Sequence, residues 1–126
     1  KECREYWPMQ TYARAFQRVG FSQGTILAET YDLGGNLRGV FPTSRVVTPG
    51  YPVQVFGPPV SGPCLLVWEG DRGPSKDLTD YLAANYGVTA KDAVTRGDVN
   101  ATLLTSKTRR DTMNYILIQK GRCSGT

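Results

Sequence analysis

The sequence predicts an α/β domain in which short parallel strands are flanked by helices and a C-terminal antiparallel hairpin extends the sheet. The prediction depends on short apolar runs of strand length, on intervening segments with apolar residues at helical spacing, and on a β-rich C-terminal part. The chain has 126 residues, which fits one domain with one core. Hydrophobic residues make up 40% of it and charged residues 21%, as in a globular chain.

The first half of the chain alternates between helical and strand patterns. Apolar residues recur at three- and four-residue spacing over residues 8–19, which predicts a helix that ends at Gly20. Residues 25–29 read as a short buried strand and residues 31–41 as a second helix. Three glycines weaken this second helix and are tolerable where they let it approach a sheet closely: Gly34, Gly35 and Gly39.

The middle of the chain adds two apolar strands, over residues 45–48 and 64–69. Between them lies a proline-rich loop, which holds a short edge strand at residues 53–56. Ser75 is a typical N-cap, and it predicts a helix that continues to Tyr86.

The C-terminal part reads as an antiparallel hairpin formed by residues 99–105 and 113–120, with residues 88–98 as a surface connection. The complete order suits a Rossmann-like three-layer sandwich, which the hairpin extends as a mixed sheet.

Acidic and aromatic side chains follow two of the predicted strands. In an open parallel sheet, ligands bind beyond the carboxyl ends of the strands, so these residues are candidates for a ligand-binding rim. A metal site or an acid–base pair is the functional interpretation. The alternative is that polar residues simply follow buried strands, with Asp32 as a helix cap. The rim residues are Glu29, Tyr31, Asp32, Glu69 and Asp71.

Several classes of chemistry lack their motifs. The sequence has no histidine and no CxxC, which removes the usual zinc patterns and every His-dependent triad. The glycines after the first strand come too late for a dinucleotide fingerprint, and no P-loop is present. We therefore predict no catalytic residue, metal or cofactor. The net charge of +4 is compatible with an anionic partner, but no basic-aromatic stripe indicates nucleic acid.

The three cysteines are Cys3, Cys64 and Cys123. Cys64 lies in the apolar run "CLLVWE" and is predicted to be a buried, inert side chain. Cys3 and Cys123 lie near the two ends of the chain, and the ends of a domain often lie close together. A Cys3–Cys123 disulfide is one expectation, in an oxidising compartment, and free thiols are the other.

A family resemblance covers most of the chain. "GTILAETYDLGGNLRGVFP", then "PCLLVWEG" and a final "NYILIQKGRC", resemble the C-terminal soluble region of bacterial membrane glycosyltransferases similar to protein mannosyltransferases and the aminoarabinose transferases of lipid A. In that family a strand leads into "ADxYxLAxxLxxY", which Ala28, Glu29, Tyr31, Leu33 and Leu37 resemble. Glu29 stands where the family often has Asp.

The resemblance implies a soluble accessory domain on the extracytoplasmic, periplasmic face of the inner membrane. The catalytic acids of the family, and its site for a polyprenyl-phosphate sugar donor, belong to a membrane portion that precedes this region. The chain starts at Lys1 without a signal-like segment, so we expect residues 1–126 to be one domain excised from such a protein. Its implied partners are the membrane-embedded portion of the same polypeptide and a lipid-linked sugar or acceptor.

Two other functions stay open from the residues alone. One is an independent Rossmann-like domain that binds a nucleotide or a small anion. The other is a small hydrolase or transferase, which requires at least two of the strand-end carboxylates to point into one pocket.

Overall fold

A computed structural model of the chain describes residues 8–50, 52–70, 72–89, 91, 93–102 and 110–118. Over these residues the protein is α/β, with three helices and one six-stranded mixed sheet. The elements in chain order are α1 (Met9–Arg18), β1 (Thr25–Ala28), α2 (Tyr31–Val40), β2 (Arg45–Thr48), β3 (Gln54–Phe56), β4 (Cys64–Glu69), α3 (Lys76–Tyr86), β5 (Ala93–Thr102) and β6 (Arg110–Ile118).

The sheet has the strand order β3-β2-β1-β4-β6-β5. Its centre is parallel, because β1 pairs in parallel with both β2 and β4. Both margins are antiparallel: β3 pairs with β2, and β6 pairs with β4 and β5. The predicted parallel strands and the hairpin that extends a mixed sheet are thus confirmed, with β6 as the strand of the hairpin that joins the parallel part.

The hairpin begins earlier than the sequence predicts. Residues 93–98, expected to be a surface connection, already form the first part of β5 and pair with β6. Arg96 and Asp98 are exposed there, as suits the outermost strand of the sheet. Because such a strand buries little of its own surface, its residues lack the apolar pattern by which strands are predicted.

Side-chain hydroxyls cap the N-termini of the two helices next to the candidate rim. The Thr30 hydroxyl accepts a hydrogen bond of 3.2 Å from the Leu33 amide at the start of α2. Asp32 is therefore not the cap of this helix but a residue of its first turn. The predicted Ser75 cap of α3 is confirmed, since its hydroxyl accepts from the Leu78 amide at 3.3 Å.

Successive residues of the central strands belong alternately to two hydrophobic clusters. Ile26 lies in one cluster with side chains of α1 and α2, whereas Leu27 lies in the other with side chains of α3. Since neighbouring residues of a strand point to opposite faces, α1 and α2 cover one face of the sheet and α3 covers the other. Both faces of the parallel strands are buried, which explains their continuous apolar runs.

Cys64 is fully buried at the start of β4 and is disulfide-bonded. The prediction of an inert thiol at this position is therefore wrong. The other two cysteines of the sequence, Cys3 and Cys123, lie outside the described residues.

The glycines of α2 differ in what surrounds them. A Cβ atom on Gly34 would lie 2.8 Å from the Thr48 hydroxyl and 3.4 Å from a Val46 methyl, so this glycine lets α2 lie close against β2. A Cβ atom on Gly35 or Gly39 would meet nothing within 4 Å. The expected role in close packing holds for Gly34 alone.

This difference predicts opposite effects for two adjacent substitutions. Gly34→Ala forces the buried, β-branched Thr48 to shift, and overpacking of this kind costs about 1–3 kcal/mol. Gly35→Ala adds its methyl to open space and gains up to about 1 kcal/mol of helix propensity. Chemical denaturation should therefore show a lower free energy of unfolding for Gly34→Ala and an unchanged or higher one for Gly35→Ala. Equal values for the two variants would contradict the close approach of α2 to the sheet.

Candidate functional site

The candidate site lies where β1 and β4 end side by side. The two strands are parallel neighbours, and each leads into a helix, β1 into α2 and β4 into α3. Because α2 and α3 pack on opposite faces of the sheet, the two connections diverge at this point, and we call the space between them the crevice. In open α/β sheets such a switch point is the usual place for a ligand.

Glu29 occupies this crevice, directly after β1. Its amide donates a hydrogen bond of 3.1 Å to the Val67 carbonyl of β4, which continues the pairing of the two strands. Only 12% of its side chain is exposed, and its Oε2 atom lies 3.7 Å from the Arg72 guanidinium. This separation exceeds hydrogen-bond length, so the two groups form an ion pair without a direct hydrogen bond.

The loop that carries Arg72 is fixed through its backbone. The Trp68 indole Nε1 donates a 2.6 Å hydrogen bond to the Arg72 carbonyl. The Asn114 side-chain amide of β6 donates to the Gly70 carbonyl at 2.5 Å, and the Gly70 amide donates to the Thr112 carbonyl at 3.2 Å. The Arg72 side chain is 78% exposed. The site thus combines a shielded carboxylate with a cation that a solvent-borne anion can reach.

Tyr31 and Asp32 lie on the first turn of α2, and each has a structural role there. The Tyr31 hydroxyl donates a 2.7 Å hydrogen bond to the Pro52 carbonyl, so this tyrosine supports the loop between β2 and β3. Asp32 is exposed, in a position that the helix dipole favours for an acid. Both roles are structural ones.

Glu69 and Asp71 complete the predicted rim. Glu69 pairs in register with Met113, a residue of the cluster that contains α1 and α2. Glu29 instead meets Arg72, in the loop that leads to α3. The two glutamates therefore point to different faces of the sheet. Asp71 lies outside the described residues.

The described ranges contain no group of three His, Cys, Asp or Glu side chains that could hold a metal ion. At the start of α3, Lys76 forms a 2.6 Å ion pair with Asp80. The hydrogen bond and the charge of Asp80 raise the pKa of the Lys76 ammonium above its ordinary value. Lys76 therefore stays protonated, and its charge is directed to its own helix rather than to the crevice.

A second polar feature lies at the other end of the parallel strands, where β1 and β2 begin. Thr25 and Arg45 are neighbours in the parallel register, and the Thr25 hydroxyl and two nitrogens of the Arg45 guanidinium are buried without hydrogen-bond partners. Burial raises the pKa of the Tyr86 hydroxyl, and the positive charge of Arg45 partly opposes this shift. A water molecule or a small anion would satisfy these groups.

A cavity of about 200 Å³ lies near the start of β2, beside the end of β3. The guanidinium of Arg38, on the last turn of α2, lies 4.1 Å from the centre of the Phe56 ring and forms a cation–π contact with it. The cavity is smaller than the usual pocket for a drug-sized ligand. Its lining consists of Arg38, Phe41, Pro42, Ser44, Phe56 and Gly57.

Sequence reasoning placed Glu29 at the strand end but missed its partner Arg72, as well as Arg38 and Phe56. Arg72 sits in the turn "GDRGP", where the only available signal was a basic residue next to a predicted strand end. Arg38 and Phe56 are separated along the chain, and only the pairing of β3 with β2 brings them together.

Comparisons of the chain with protein-family models, with curated proteins and with solved structures found no match. None of the helices in the described ranges combines the length and the apolar character that a membrane crossing requires.

Proposed function

We propose that this chain is a soluble extracytoplasmic accessory domain of a membrane glycosyltransferase that uses a polyprenyl-phosphate sugar, with the catalytic groups in another part of the same polypeptide. The sequence resemblance of the segment around Glu29 and Tyr31 suggests the family. The fold is compatible with it, since β1 leads directly into α2 at Tyr31. We describe this fold as a Rossmann-like three-layer sandwich with an antiparallel extension.

The observation that carries the extracytoplasmic assignment is the disulfide at the buried Cys64. Disulfides form and persist in oxidising compartments and are rare in reducing ones. A bond in the central strand β4, rather than in a surface loop, supports the assignment of the folded protein to such a compartment. For a bacterial membrane enzyme of this family, that compartment is the periplasmic side of the inner membrane.

The crevice supports a binding role rather than a catalytic one. Its shielded carboxylate already faces a cation, and Glu69 points away from Glu29. Acid–base chemistry by two carboxylates requires them to face one reacting group. Glu29 and Arg72 together instead suit a ligand with hydroxyl and phosphate groups, such as a lipid-linked sugar or its acceptor, held against the membrane-embedded portion of the polypeptide.

The gene that encodes the chain tests this function directly. We expect the reading frame upstream of Lys1 to continue into many apolar segments, because the family's donor site lies in a membrane portion that precedes this region. Sequencing of the full transcript measures this. A separate, complete reading frame that starts near Lys1 would rule the accessory-domain proposal out.

The presence of a disulfide at Cys64 tests the proposal that the domain lies in an oxidising compartment. We expect peptide mapping of the unreduced protein, after alkylation under denaturing conditions, to recover Cys64 in a cross-linked peptide. Reduction should lower the free energy of unfolding by about 2–4 kcal/mol, a typical value for a disulfide. Recovery of Cys64 as an alkylated thiol would contradict the assignment.

A second candidate function is an independent domain that binds a nucleotide or a small anion, and the exposed guanidinium of Arg72 at the switch point favours it. It predicts a rise in melting temperature of about 5 °C with a nucleotide or sugar phosphate at ten times its Kd. Arg72→Gln should abolish this rise. Arg14→Gln removes the same charge from an exposed position on α1 and should leave it unchanged. No shift in the parent chain at millimolar ligand would exclude this candidate.

A further inference from the structure

An apolar ridge lies along β3, one of the two outer strands of the sheet. Three of the large apolar side chains that the described residues expose belong to one short segment, and they are 39% to 48% exposed: Val53, Val55 and Phe56. We call them the β3 ridge. The fourth, Tyr31, already donates a hydrogen bond to Pro52, the residue before the ridge. Such a concentration of exposed apolar side chains in one short segment makes it a candidate interaction site.

The ridge is suited to contact a partner through its side chains, because its backbone is poorly suited to pairing with another strand. β3 has only three residues, and Pro52, Pro58 and Pro59 lie close to it on both sides. Proline has no amide hydrogen to donate, and short edges with flanking prolines resist the addition of a further strand. A partner that extends the sheet is therefore disfavoured.

The side chains of the ridge point to both sides of the sheet. Val55 pairs with Val47, which faces the α3 cluster, and Phe56 pairs with Val46, which faces the cluster of α1 and α2. A flat protein surface can cover only one of these sides. A fluid apolar phase can surround the edge and cover both, as the interface of a lipid bilayer does.

Arg38 is the charged side chain that lies against the ridge. The segment from Leu33 to Trp68 contains no Asp and no Glu, and its other charged residue, Arg45, has two buried guanidinium nitrogens. The exposed Asp32 comes just before this segment. The Arg38 guanidinium lies over the Phe56 ring, 4.1 Å from its centre, at the mouth of the cavity between α2 and β3. Each basic residue near an anionic membrane surface strengthens attachment to it. Apolar side chains beside an arginine are the combination that an anionic interface binds.

We infer that the β3 ridge docks the domain onto an anionic lipid bilayer, with Val53, Val55 and Phe56 inserted among the headgroups and Arg38 against the lipid phosphates. This inference comes from the surface of the domain and does not require the proposed glycosyltransferase function. It assigns the membrane contact to β3, which β2 separates from β1, the strand that leads to Glu29.

Vesicle binding of the 126-residue chain tests the inference. We expect the chain to sediment with vesicles of equal parts phosphatidylglycerol and phosphatidylcholine, and much less with phosphatidylcholine alone. Added salt should weaken binding, because it screens the attraction between exposed charges. Failure to bind the mixed vesicles, or equal binding to both kinds, would overturn the inference.

Matched variants locate the contact. Arg38→Gln should lower the vesicle affinity about five-fold, whereas Arg14→Gln, which removes one exposed charge from α1, should lower it less than about two-fold. The double variant Val53→Ser/Val55→Ser should lower it about ten-fold or more at a temperature where circular dichroism shows the variant to be folded, since about half of each side chain is exposed. Equal effects of Arg38→Gln and Arg14→Gln would contradict docking through the ridge. A double variant that instead dissociates a dimer in sedimentation velocity would make the ridge an interface between copies.

Discussion

The position of β4 between two kinds of strand pairing is the constraint on which the rest of the structure depends. β4 pairs in parallel with β1 and antiparallel with β6, so it joins the parallel centre to the C-terminal hairpin. Its residues Cys64 to Trp68 are all buried, and they alternate between the two hydrophobic clusters. Every helix of the described chain therefore packs on a face to which β4 contributes. The disulfide at Cys64 holds the first residue of the same strand.

The last residues of β4 organise the candidate site. Trp68 packs its ring into the α3 cluster while its indole nitrogen binds the Arg72 carbonyl, so the hydrophobic core and the loop geometry share one side chain. Asn114 of β6 holds the same loop at Gly70. The ion pair of Glu29 with Arg72 results from this support. It needs no additional motif in the loop itself, which explains why no sequence signature marks the site.

Local sequence patterns predict the buried strands of this fold well, and its outer strand β5 and loop contacts poorly. β2 and β4 lie at the positions predicted from their apolar runs, because burial on both faces demands such runs. The first part of β5 was missed, since an outer strand tolerates residues such as Arg96 and Asp98. The position of Glu29 at a strand end was predictable. Its pairing with Arg72 was not, because it depends on contacts made by Asn114, far away in the chain.

The hydrogen bond from Tyr31 to Pro52 has a consequence for the register of the outer strand. β3 forms only three residue pairs with β2, too few to fix its alignment strongly. A slip by one residue would exchange Val55 and Phe56 between the two faces, and it would take the Phe56 ring away from Arg38. Tyr31 holds the chain at Pro52, two residues before β3 begins. A side chain of α2 therefore helps to fix the register of a distant strand, and with it the face of the sheet on which each residue of that strand lies.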